Sequence, residues 1–237
     1  MSTFPGGTSL SFLEVYPDAA PDGICGGSPH MHTASTECYV MVGGRGQLHS
    51  LTSDGYRETD LEAGRIVWFT PGTIHRSVNL DHAKIVVLMS NAGLPETGDA
   101  VMTFPAEYLA DAERYREAAA LPESASEAHI AAAASRRRDL AVEGYLPIRD
   151  ALIAGDDRPL GAFRDAAARI VHDRTESWAP SVRDGPLAQA QRTLDVLTQM
   201  RAGDGSHLAD AAVVDGIEPA HRFGMCGRLR AFDLAAR

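Results

Sequence analysis

Turn signals recur through the first hundred residues of this chain, and they constrain its fold more than any other feature. They read PDG at 21–23, GG at 26–27, GGRG at 43–46, SDG at 53–55, EAG at 62–64 and PG at 71–72. The segments between them are short and β-prone: SFLEVY, ECYVMV, GQLHSLT, RIVWFT, RSVNL and AKIVVLM. Many short strands at such spacing predict an all-β sandwich or barrel. Residues 85–89, IVVLM, are continuously apolar, as expected of a strand buried on both faces or packed at an interface.

Beyond about Pro105 the periodicity changes. Residues 105–121 open with a proline suited to a first helical position, and Tyr108, Ala112, Tyr115 and Ala119 fall on one helical face. SASE at 124–127 has the form of a capping box before an alanine-rich helix, which is expected to end near Gly144 and Pro147. Two further apolar stripes follow, one through Leu160, Phe163, Ala167, Ile170 and Val171, the other through Leu187, Ala190, Leu194, Leu197 and Met200. Such stripes predict helices packed on each other, on the β unit or on a second subunit. Residues 204–237 are glycine-spaced and give no clear pattern. The expected division is residues 1–104 as a barrel and 105–237 as a helical region packing on it or at a dimer interface.

Within the first half, SPHMHTASTECYVMVGG at 28–44 places His30 and His32 two apart. A strand has a side-chain period of two, so both imidazoles point to one side. TAST then makes room for a turn, and on a strand beginning at Glu37 the side chains of Glu37, Tyr39 and Met41 share a face. Downstream, GRIVWFTPGTIHRSVN at 64–79 runs a strand into a Pro71-Gly72 turn, with His75 three residues after the glycine. His75, Ser77 and Asn79 share a strand face. If that face is the interior, His75 completes a site of three histidines and one glutamate. Such ligands suit iron, manganese, nickel, zinc or copper rather than calcium.

These two segments resemble the paired motifs of the cupins. His30, His32, Glu37 and Gly44 match the first motif from its histidines onward. Gly64, Gly72, His75 and Asn79 match the second in register, with Pro71 standing one place later than the usual proline. The resemblance covers roughly residues 8–95. It implies a mainly β fold, a double-stranded β-helix or jelly-roll barrel, here followed by an α-helical C-terminal region. It also implies one divalent transition metal per chain (Fe, Mn, Ni or Zn) on His30, His32, Glu37 and His75, and a homodimer.

Glu37 and Tyr39 are the expected catalytic groups. Tyr39, Met41, Gln47, His49, Trp68 and Ser77 are the expected pocket residues. A four-ligand site on an ion that accepts five or six ligands leaves positions for a substrate oxygen or dioxygen. The expected function is that of a mononuclear metalloenzyme of dioxygenase or isomerase type, acting on a small polar metabolite, oxygenated or carbohydrate-like. The alternatives are a sugar or metabolite sensor without turnover and a cupin-type transcription regulator. A net charge of −10 argues against a broad nucleic-acid surface. Residues 106–203 hold sixteen acids against thirteen arginines, with no helix-turn-helix pattern. No basic N-region, long apolar run or Cys-x-x-Cys pair is present, so neither secretion nor membrane insertion is expected, and the three cysteines suit a reducing cytoplasm.

Overall fold

The computed structural model describes residues 4–123, 125–216 and 219–232. Two long strands organise the barrel: β3 (Glu37–Thr52) and β6 (Ile74–Met89). They pair antiparallel along their whole length and share register shifts between Met41 and Gly46. Each turns the corner there. Gly44 takes φ 68° and packs its Cα against the Asp81 and His82 carbonyls, while His82 takes φ 45°. A side chain at Gly44 would collide with that backbone, which is why the GGRG segment bends the strand and does not end it.

The halves of β3 and β6 belong to different sheets. On one, β5 (Ile66–Phe69) pairs with Glu37–Val40, and β1 (Ser9–Val15) pairs with residues 84–89 of β6. On the other, β4 (Gly55–Glu62) pairs with residues 45–52, and β2 (His30–His32) pairs with His75 and Ile74. β7 (Ala100–Met102) adds to β2. Leu13, Tyr39, Met41, Leu48, Leu61, Ile85 and Val87 fill the space between the two sheets.

Two strands come from the far end of the chain. β8 (Arg222–Phe223) and β9 (Gly227–Ala231) form a hairpin, and β9 pairs with β1. Residues 105–237 are therefore not all helical; their last described segment belongs to the barrel. Between lie α1 (Ala106–Leu109), α2 (Ala112–Ala119), α3 (Glu127–Ile153), α4 (Arg158–Val171), α5 (Thr175–Val182) and α6 (Ala188–Arg201). Tyr115, Tyr145, Leu152, Phe163 and Trp178 pack onto Met31, Leu51, Ile74, Val101 and Phe104, the outer side of the β2 sheet. The helices thus form a second core against the outside of the barrel, separate from the one between its sheets. No helix among the described residues is long and apolar enough to cross a membrane.

Several helical expectations are modified. The segment 105–121 breaks at Asp111, whose side chain accepts from the Glu113 and Arg114 N–H groups and starts a new helix. The long helix begins after Ser126, which caps His129 N–H; Ser124 lies outside the described residues. That helix does not end at Gly144 and Pro147. Tyr145, Ile148 and Leu152 continue its buried face, and Gly144 lets it lie on the Thr103 and Phe104 backbone where a side chain would clash. Leu187, Leu194, Leu197 and Met200 are exposed, so among the described residues the last apolar stripe is not covered.

Candidate metal centre

Cross-strand register builds the site. His30 faces His75 across the β2–β6 ladder, and paired residues project to the same side. His32 follows two residues along, and Glu37 opens β3. All four are buried, and each offers one ligand atom within 4.8 Å of the other three.

The ring orientations are fixed from behind. His30 Nδ1 donates to the Ser28 carbonyl at 2.9 Å and His75 Nδ1 to the Thr73 carbonyl at 3.2 Å. A carbonyl can only accept, so the Nε2 lone pairs of both rings are turned inward. His32 Nδ1 meets a carboxylate, Asp99 Oδ1, at 2.6 Å. Asp99 is wholly buried, accepts from Ser35 N–H through its other oxygen, and takes Thr33 N–H and the Thr33 hydroxyl on its main-chain carbonyl. It therefore holds both the His32 ring and the turn that delivers Glu37. Outer partners of this kind set the tautomer and basicity of a metal-binding imidazole.

Glu37 Oε2 lies 3.2 Å from His32 Nε2 and 3.0 Å from His75 Nε2. Glu37 Oε2 and His75 Nε2 are nonetheless buried without a properly oriented hydrogen bond. Such atoms are costly unless a cation or proton lies between them. Burial and the neighbouring rings push His30 well down and keep it neutral. Burial would also lower His32, but the Asp99 and Glu37 carboxylates outweigh it and raise the ring to about 10. Burial would raise Glu37, yet His75 and His32 hold it below the usual carboxylate range. Without an ion, a proton on His32 balances the carboxylates. A divalent ion fits the same donors and would be held by His30, His32, Glu37 and His75.

A cavity of about 120 Å³ opens onto the cluster. His30, His32 and Glu37 form part of its wall, together with Ser9, Ser11, Leu13, Val87 and Met89. The C-terminal hairpin supplies Arg222, Met225, Cys226 and Leu229.

Only part of the expected pocket is near this space. Tyr39 and Ser77 face the interior and bond to each other at 3.0 Å, but neither lines the cavity. Burial pushes the Tyr39 hydroxyl well up, with Glu37 adding to the effect. Met41 is core. Gln47 and His49 lie on the opposite face, because the bulge at 41–46 shifts the strand's parity: Met41 points inward before it and Leu48 after it. His49 is instead buried in a polar group with Gln47 and Tyr56. Trp68 pairs with Cys38 on the outer face of β5 and is 70% exposed. Asp99, Ser9, Ser11 and the hairpin residues escaped the sequence reading. Asp99 carries no motif, and the hairpin's alternation in RFGMCGRLRA was its only signal.

No family model matches the chain, and no curated protein matches it in sequence. Solved structures with partial similarity include an uncharacterized conserved protein with a double-stranded β-helix domain from Klebsiella pneumoniae. It is 17% identical, with 37% of this chain and 70% of that one covered, at a TM-score of 0.31. A Cupin 2 conserved barrel domain protein from Salinispora arenicola is 20% identical, over 41% and 76% of the two chains, at 0.30. A predicted oxalate decarboxylase from Thermotoga maritima is 16% identical, over 34% and 64%, at 0.28. Likenesses of this extent carry no argument about activity, and the barrel stands on its own strand pairings. Those pairings, and the cluster between the two sheets, make this chain a β barrel built on two long bent strands, followed by a helical region and closed by a C-terminal hairpin.

Proposed function

We propose that this chain is a mononuclear metalloenzyme acting on a small, oxygen-bearing metabolite. One observation carries the reading: the Glu37 and His75 donor atoms are buried and convergent yet lack a hydrogen bond, beside a cavity that reaches the same cluster. The nitrogen-rich donor set suits iron, manganese, nickel or zinc. A bound ion supplies Lewis-acid polarisation of a substrate oxygen.

The protein's own groups do the rest. Asp99 and the Ser28 and Thr73 carbonyls hold the three rings, so binding requires little rearrangement of the donors. Glu37 lines the cavity and would hold the ion at the wall that a bound substrate meets. Tyr39, bonded to Ser77 behind the ligand layer, supports the wall and does not contact substrate. The small cavity and its largely apolar lining favour a compact compound over a sugar phosphate.

The test is incubation of the metal-loaded protein with a metabolite extract. Loss of a compound in the wild type, abolished in Glu37→Ala, supports an enzyme. Retention of a compound unchanged would make the chain a binding protein instead. Oxygen uptake during turnover distinguishes an oxygenation from an isomerisation.

A further inference from the structure

The hairpin that closes the cavity brings a cation to it. Arg222 pairs with Leu229 in the β8–β9 ladder, and Leu229 pairs with Leu13 across β9–β1. Antiparallel partners share a face, and Leu13 belongs to the core between the sheets. Arg222 therefore stands on the inner face, at the open edge of the sheet, and lines the same cavity as His30, His32 and Glu37. It is the one guanidinium or ammonium among the described lining residues. Its side chain forms no ion pair or hydrogen bond with any described residue and is free to meet a ligand. Glu96 is the one lining carboxylate outside the cluster, and the Gly93 N–H already holds it at 2.7 Å.

We propose that Arg222 anchors a carboxylate of the substrate, so that the site selects small hydroxy- or oxo-carboxylates whose second oxygen reaches the cluster. The inference rests on the metal-site reading above and adds the substrate class. Guanidinium recognises carboxylate through two parallel N–H donors, a geometry that lysine cannot reproduce. Arg222 itself is exposed at the rim of the cavity, and Leu13, Val87, Met89 and Leu229 give the rest of the wall an apolar character that suits the carbon skeleton of a small acid. The Ser9 and Ser11 hydroxyls offer further polar contacts along the β1 side. Arg222 is a specificity residue that forms no hydrogen bond or ion pair with His30, His32, Glu37 or His75, so its replacement leaves metal binding intact.

The experiment is a calorimetric titration of the full chain, loaded with Co(II), with lactate, 3-hydroxybutyrate and 4-hydroxybutyrate, each beside its uncharged amide. At least one acid should bind more tightly than its amide by about tenfold or more, the scale of a charge-assisted pair. Arg222→Gln should remove that advantage and leave the amide's affinity and the Co(II) content unchanged. Arg222→Lys should keep part of it. Equal affinity of the acids for wild type and Arg222→Gln, or no preference for any acid over its amide, overturns the proposal. Failure of the wild type to take up Co(II) would instead overturn the metal reading, and titration of the metal-free chain would still show whether Arg222 senses a carboxylate.

Discussion

Asp99→Asn tests the support behind the proposed metal ligands. His30 and His75 lean on neutral carbonyls at 2.9 and 3.2 Å, whereas His32 leans on a carboxylate at 2.6 Å. The substitution keeps the shape of the side chain and removes the charge. It also forces a choice. An asparagine that keeps its oxygen on His32 turns its NH2 toward the Ser35 N–H, which now bonds to Asp99 Oδ2 at 2.9 Å. Two donors then face each other in a fully buried spot, at a cost of about 1–3 kcal/mol. Loss of a charged outer partner typically weakens a metal site by ~10–100-fold, or about 1.4–2.7 kcal/mol. Both effects act on the turn that carries Glu37, so the expected loss of affinity lies toward the upper end. The assay is competition for Zn(II) or Co(II) against a chromophoric chelator, with circular dichroism to confirm that the variant is folded. A folded Asp99→Asn protein with wild-type affinity would refute the reasoning.

Three further outcomes are expected. His30→Ala and His75→Ala should each lose most bound metal on dialysis while keeping β-rich circular dichroism; full retention by both would sink the ligand assignment. In the metal-free protein His32 is raised from 6.5 to about 10. A group raised on folding contributes stability that is complete below its unfolded value and is lost as pH climbs through the folded one. The melting temperature of metal-free protein should therefore fall between about pH 6.5 and 10, whereas metal affinity should rise over the same window as the proton becomes easier to displace; a melting temperature that rises across it would contradict the charge pairing. Gly227→Ala should destabilise the fold by about 1–3 kcal/mol, read by chemical denaturation, because the new methyl would strike the Glu14 carbonyl where β9 meets β1; an unchanged midpoint would mean that the hairpin is not seated on that strand.

The clustering of His30, His32, Glu37 and His75 was legible because each depends on local rules: strand parity for His30 and His32, a turn before Glu37, and a Pro-Gly turn before His75. Their convergence required only that β2, β3 and β6 share an interior. The pocket was less legible. Gln47 and His49 lie beyond a bulge that reverses which residues point inward, and nothing in GGRG tells a bulge from a hairpin turn. β4, GYRETDLE, is mostly polar because one face lies toward solvent, so it left no hydrophobic signature. Asp99 reaches His32 from 67 residues away. Arg222 and Cys226 come to the cavity from beyond six helices, a distance at which periodicity carries no information. α6 shows the converse: its apolar stripe predicts a packed face, but periodicity does not name the partner, and Leu194, Leu197 and Met200 are exposed.

The central claim is that His30, His32, Glu37 and His75 together hold one divalent transition-metal ion. The most direct test is equilibrium dialysis of the purified full chain against iron, manganese, nickel and zinc in turn, followed by elemental analysis beside His30→Ala and Glu37→Ala. The account predicts one equivalent of at least one of these metals per wild-type chain and its loss in both variants. A wild-type chain that retains none of them, or variants that retain as much as the wild type, would contradict it.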